Sequence, residues 1–198
     1  MSLKNTLSET LTSSLNRYRL DIPSCTSPLD VEEFSGRECM SALYLYTIRF
    51  TSVDHDISAE QLLNKSATLS MGTGSLAAMT GMKVIHGTVT HFRRISGSAD
   101  QSTYQILVEP FFALLGRQFR THRFFVNKSV PEVVEQVLQE HGLHGWEYEF
   151  NLKQNYPKRE QINQYQESDL AFIQRLLAEV GIFYWFTLQK DTQSEVVH

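Results

Sequence analysis

Apolar and polar residues alternate with a period of two along much of the first half of the chain, the pattern of strands with one buried face. Tyr18, Leu20 and Ile22 alternate with Arg19 and Asp21, and Tyr44, Tyr46, Ile48 and Phe50 alternate with Leu45, Thr47, Arg49 and Thr51. Tyr104, Ile106 and Val108 alternate with Gln105, Leu107 and Glu109. Shorter extended runs lie at 67–71 and 82–95, with Gly87 inside the second, where a bulge or sharp bend is expected. Five or six antiparallel strands over this span predict a small barrel or sandwich. The period then changes. Ser129-Val130-Pro131-Glu132 reads as a capping box opening a helix with Val130, Val133, Val134, Val137 and Leu138 on its buried stripe and Gly142 at its end. A strand is expected over 146–152. Gln161 to Tyr165 reads as extended, Ser168 as the cap of a second helix, Leu170, Ile173, Leu176, Leu177 and Val180 as its buried face, Gly181 as its end and Ile182 to Phe186 as another strand.

The expected architecture is mixed β and α+β: an antiparallel β-barrel over 17–118, then an α+β subdomain over 119–190 made of two helix-and-strand units. Residues 1–16, with Leu3, Leu7, Leu11 and Leu15 spaced by four, read as a leader, helical or disordered, and 191–198 as the cut-off start of a further segment.

Composition narrows the chemistry. A formal net charge of −4 and a pI near 6.0 supply no drive toward nucleic acid or an anionic membrane. No apolar run is long enough for a membrane span, and no secretory signal stands at the N-terminus. The two cysteines, Cys25 and Cys39, form no disulfide framework and no zinc pattern. His86 and His91 fall on opposite faces of a predicted strand, and His141 and His144 straddle a helix-ending glycine, so no metal site is expected. The glycine-rich run after Met71 lacks the ending of a phosphate loop and reads as a hairpin loop. Glu167 and Asp169 form a close carboxylate pair at a helix start, where negative charge is favoured; a general acid needs the opposite. No nucleophile motif is present, so no enzyme and no cofactor is expected. Arg117, Arg120 and Arg123 form a basic connector that reads either as a docking patch or as solvated and ion-paired.

The run from 157 to 186 carries a more specific pattern: Pro157-x-Arg159-Glu160, Gln164-Tyr165-x-Glu167-Ser168-Asp169-Leu170, Arg175-Leu176 and Gly181-Ile182-x-Tyr184. Upstream lie Leu29-x-Val31-x-x-Phe34-x-Gly36-x-Glu38, His86-Gly87-x-Val89-Thr90-x-Phe92, Val108-x-Pro110 and Asn127-Lys128-Ser129-Val130-Pro131-Glu132-x-Val134. In this order the motifs resemble those of the VgrG spike proteins of type VI secretion systems, built on a phage tail-hub domain; Gln161 and Val180 depart from the usual pattern. The resemblance implies a structural, non-enzymatic part of a contractile spike, homotrimeric in full length, seated on the Hcp tube ring, in contact with baseplate proteins and carrying a needle. It also implies a protein that is cytoplasmic before firing and then leaves the cell without a signal peptide. Alternative readings are a phage or prophage tail hub, a tail-associated cell-wall hydrolase, and a carbohydrate-binding barrel.

Overall fold

The structure is a computed structural model, and it describes residues 18–72, 83–188 and 195–198. The expected leader over 1–16 and the glycine-rich loop after Gly72 lie outside the described residues. Two compact units form. One holds the described residues up to Gly36 together with Tyr46–Val108, the other Arg37–Leu45 with Glu109–His198.

The first unit is a six-stranded sheet in the order β1-β4-β5-β6-β3-β2. Its strands are β1 (Tyr18–Asp21), β2 (Asp30–Arg37), β3 (Leu45–Ser52), β4 (Ser66–Met71), β5 (Lys83–Gly97) and β6 (Ser102–Glu109), with a one-turn helix α1 (Ala59–Leu62) before β4. Register follows from the alternation. On β3 and β6 the buried residues meet directly, Tyr46 with Val108, Ile48 with Ile106 and Phe50 with Tyr104. A slip of one residue would turn all six outward. The Phe50 and Tyr104 rings stack at 5.6 Å, and the Tyr104 hydroxyl donates to the Asp54 carbonyl at 2.9 Å, which satisfies the polar end of a side chain only 1% exposed. The sheet curls until its two edge strands meet, with the Tyr18 ring edge-on to Phe34 at 5.2 Å, giving a nearly closed antiparallel barrel.

Two features of this unit differ from expectation. Gly87 pairs with Ala67 in continuous register with β4, so of the expected bulge or sharp bend, no bulge lies on that edge. Strand β2 carries no visible alternation because only Val31 is buried along it. Gly36, near its end, lies under the Tyr46 ring; a Cβ there would stand 2.1 Å from Tyr46 Cε1.

The second unit contains a 3-10 segment (Phe111–Arg117), β7 (Phe119–Lys128), α2 (Val130–Glu140), β8 (Arg159–Ser168), α3 (Asp169–Glu179), β9 (Phe186–Leu188) and β10 (Glu195–Val197). The basic connector of the sequence reading is therefore largely strand β7, paired antiparallel with β8. Residues 146–152 form no strand; Tyr148 makes one isolated parallel bridge to Val197. The run from Ile182 becomes regular only at Phe186, and β10, expected to open a further segment, pairs back onto β9. Residues 37–45, placed with the barrel by the sequence reading, belong to this unit: Ser41 N–H donates to the Tyr184 carbonyl at 2.8 Å and the Tyr44 ring meets Phe186 at 5.6 Å.

An internal repeat organises this unit, although no repeat is visible by residue identity. Strand β7 leads into α2 as β8 leads into α3. Asn127 and Gln166, each two residues before a helix cap, both take positive φ (52° and 49°). Ser129 and Ser168 then cap their helices by accepting from Glu132 N–H and Ala171 N–H. The buried stripes correspond, Val133, Val134, Val137 and Leu138 with Phe172, Ile173, Leu176 and Leu177. Both helices end at a glycine of positive φ, Gly142 (82°) and Gly181 (69°), with Leu143 and Ile182 N–H returning to the Leu138 and Leu177 carbonyls. In the β7–β8 register Phe124 faces its own counterpart Asn163, so a local two-fold axis passes between them. Phe172, absent from the expected face, is fully buried and stacks on Phe125 at 5.8 Å, while Leu170 and Val180 are only half-buried.

Candidate functional site

Two of the motif residues between 157 and 186, Gln164 and Asp169, meet at a break in this repeat. The first residue of α2 is Val130, and its counterpart in α3 is Asp169, whose side chain is 0% exposed. A carboxylate there needs partners. Gln164 Nε2 donates to Oδ1 at 2.8 Å, Arg123 approaches Oδ1 at 3.1 Å, Arg120 Nε lies 3.4 Å from Oδ1, and His141 Nε2 lies 2.7 Å from Oδ2. Arg123 also donates through Nε to Gln164 Oε1 at 2.9 Å and pairs with Glu140. Burial alone would push the Asp169 carboxyl up; Gln164, His141, Arg123 and Arg120 outweigh it and hold the group below the ordinary aspartate range. The cluster joins the end of α2, strands β7 and β8 and the start of α3.

A second set of charges stitches β8 to α3 on the outside. Arg159 pairs with Glu179 at 2.8 Å, Glu179 with Arg175 at 2.7 Å, and Arg175 with Glu167 at 2.6 Å; Arg175 also donates to the Asn163 carbonyl at 2.9 Å. Each exposed pair is worth roughly 0.2–1 kcal/mol, so this ladder chiefly fixes how the helix lies on its strand.

The remaining motif positions also have structural places. Pro157 precedes β8, Glu160 is exposed on it, and Tyr165 is exposed with its ring edge toward His122 at 6.1 Å. Leu170 stands against Gly116, where a Cβ would lie 3.3 Å from its Cδ2. Leu176 is fully buried. Tyr184 is buried and accepts through its hydroxyl from Gln174 Nε2 at 2.8 Å. Of the three arginines read as a basic patch, Arg120 and Arg123 turn toward Asp169, and Arg117 is exposed. The sequence reading missed His141 and Glu140, whose separation from Asp169 along the chain hides their contact; the one local signal was a histidine at the end of a helix.

Neither carboxylate of the pair read as a possible acid and base is free. Glu167 is held by Arg175 and Asp169 by its cluster. Among the described residues no group of three or more His, Cys, Asp or Glu is arranged to hold a metal ion, and no helix is long and apolar enough to cross a membrane. A mainly apolar cavity of about 590 Å³ opens between residues 148–156 and 180–185, floored by Val134, Leu138 and Leu177.

A curled antiparallel sheet and a second unit locked by buried and surface ion pairs define a structural class of protein. The chain belongs to the phage tail baseplate hub (GPD) family, whose sequence model matches residues 37–197. Within that family it is similar to type VI secretion system spike proteins. It is 32% identical over 172 residues to VgrG4b of Pseudomonas aeruginosa, covering 85% of this chain and 20% of that protein. It is 31% identical over 153 residues to the actin cross-linking toxin VgrG1 of Vibrio cholerae, covering 77% of this chain and 13% of that one. Among solved structures, the E. coli c3393 protein, a component of the type VI secretion system with structural similarity to the T4 bacteriophage tail proteins gp27 and gp5, matches with a TM-score of 0.82 and 39% identity, over 90% of this chain and 48% of that one. A 43 kDa tail protein of prophage MuSo2 from Shewanella oneidensis shares the fold, with a TM-score of 0.56 and 15% identity over 91% of this chain and 54% of that one.

Proposed function

We propose that this chain is the tail-hub portion of a type VI secretion spike, the part that sits on the Hcp tube ring and supports a needle. The observation that carries the reading is the match to the E. coli secretion component, at 39% identity and a TM-score of 0.82 over 90% of this chain. The geometry supports a mechanical role. A unit whose helices are tied to their strands by ion pairs resists deformation. In the complete spike three copies assemble about one axis, and a second barrel in each chain brings the number to six, matching a hexameric tube below and a threefold needle above. The motif residues from Pro157 to Tyr184 act in this reading as the frame of the hub, and Arg117 remains the exposed member of the basic patch. The protein waits in the cytoplasm and leaves the cell on firing. A phage or prophage tail hub is the second reading, supported by the shared fold with the prophage tail protein but at 15% identity. Deleting the gene and restoring it distinguishes them. Loss of Hcp from the culture supernatant, regained on complementation, is the expected result; unchanged Hcp release together with loss of tail particles would overturn the secretion reading in favour of the phage one.

A further inference from the structure

The cavity beside β10 has the outline of a missing sheet neighbour. Strand β10 pairs on both sides. On one, His198 and Trp185 exchange both backbone bonds, at 3.2 and 2.9 Å. On the other, Val197 N–H donates to the Glu147 carbonyl at 3.0 Å and Glu149 N–H to the Val197 carbonyl at 2.9 Å, in the slanted pattern of a parallel pair. Past His198 these two flanking segments continue as the two walls of the cavity, residues 149–154 and 181–185, while the apolar ends of α2 and α3 form its floor. The neighbours on either side of one strand stand about 10 Å apart, so such walls admit one extended chain.

Continuing each ladder by one repeat names the partners. On the antiparallel side the second residue beyond His198 would face Phe183 and exchange both bonds with it. On the parallel side the first residue would donate to the Glu149 carbonyl and accept from Asn151 N–H. Among the described residues the backbones of Phe183 and Asn151 have no backbone partner. The rim is apolar and uncovered, with Phe183 65% and Trp185 43% exposed.

We propose that this groove receives an extended peptide strand joined to His198, so that in a longer form of the polypeptide β10 runs on through it and completes a three-stranded sheet. Joined there, the strand meets all four backbone groups without a break in either ladder. The relatives are long enough to supply such a segment, since the match covers 20% of VgrG4b and 48% of the E. coli protein. Val197 packs toward the apolar core of the unit, so alternation turns the first, third and fifth added residues to the floor of the groove. None of these contacts depends on the secretion reading.

The test appends Val-Thr-Val-Thr-Val-Thr to His198 and follows amide exchange by NMR, beside the 198-residue chain and a control extended by Pro-Pro-Val-Thr-Val-Thr, which lacks both donors. Thermal melts establish that all three are folded. The expected result is at least tenfold slower exchange at Phe183 and Asn151 in the first protein only, with a blue shift of tryptophan emission. Equal exchange in all three overturns the proposal. So does equal protection of the unextended chain by the free hexapeptide at the same concentration, which would make the groove a site for a separate molecule.

Discussion

Asp169→Asn removes the charge at the centre of the buried cluster while keeping the size of the side chain. The variant retains one acceptor oxygen, and its new amide group faces donors from His141 or from the arginines. Breaking a buried ion pair costs about 3–5 kcal/mol. Here the loss is smaller, because Arg120 is 40% exposed and Arg123 keeps Glu140 as a partner. A destabilisation of about 2–4 kcal/mol is expected, read by urea unfolding at pH 7 as a lower midpoint with an unchanged slope. The pH dependence supplies an independent check. Since the folded carboxyl titrates below its unfolded value, its contribution is fully present above about pH 4 and is lost as pH falls through the folded value. The gap between wild type and variant should therefore narrow as pH falls below about 4. A difference under about 0.5 kcal/mol, within the range of an ordinary surface change, would refute the reading of the cluster as a lock between the two halves of the repeat.

Gly36→Ala should cost about 1–3 kcal/mol as overpacking, because its Cβ would meet the ring of the buried Tyr46 at 2.1 Å; an unchanged melting temperature would mean the ring moves aside freely. Leu176→Ala, at a fully buried position of α3, should cost about 2–5 kcal/mol, measured by the same unfolding assay. Glu195 has a carboxyl oxygen sealed from solvent, and burial pushes its pKa up to about 7 despite bonds from Phe111 N–H and Tyr44. The folded state then holds a proton that the unfolded chain releases above about pH 4.5, so stability should fall by up to about 3 kcal/mol as pH rises from 4.5 to 7. Glu195→Gln should remove that slope, and a variant that keeps it would place its source elsewhere.

Much of this fold was legible because one-sided burial writes itself as a period. The alternation around Tyr46, Ile48 and Phe50 predicted β3, and the stripe from Val130 to Leu138 predicted α2 with its capping box. Where burial is sparse or two-sided, the period disappears. Strand β2 buries only Val31 and was not read as a strand, and β7 was masked by Arg120 and Arg123, whose charges are neutralised across the ribbon by a residue far along the chain. The reverse error occurred at 146–152, where aromatic residues read as a strand but make one bridge. Ser168 and Gly181 were readable as punctuation because capping is local. The Asp169 cluster was not, because four separate elements assemble it. The repeat was hidden for a related reason: it conserves caps, dihedrals and burial while changing nearly every side chain.

The closure of the barrel between β1 and β2 has a mechanical meaning of its own. Every other neighbouring pair in that sheet is joined by backbone hydrogen bonds, whereas among the described residues this boundary is bridged by Tyr18 against Phe34. Such a boundary behaves as a clasp: two rings can slide and part over a shallow energy surface, while a ladder breaks only by losing several directional bonds together. The circumference can therefore adapt to a neighbour without unzipping a strand. The same clasp leaves β2 as an edge, and that edge carries Asp30, Glu32 and Glu33 exposed along it, charges that discourage another strand from adding there. The barrel is thus compliant at one line and guarded at that same line.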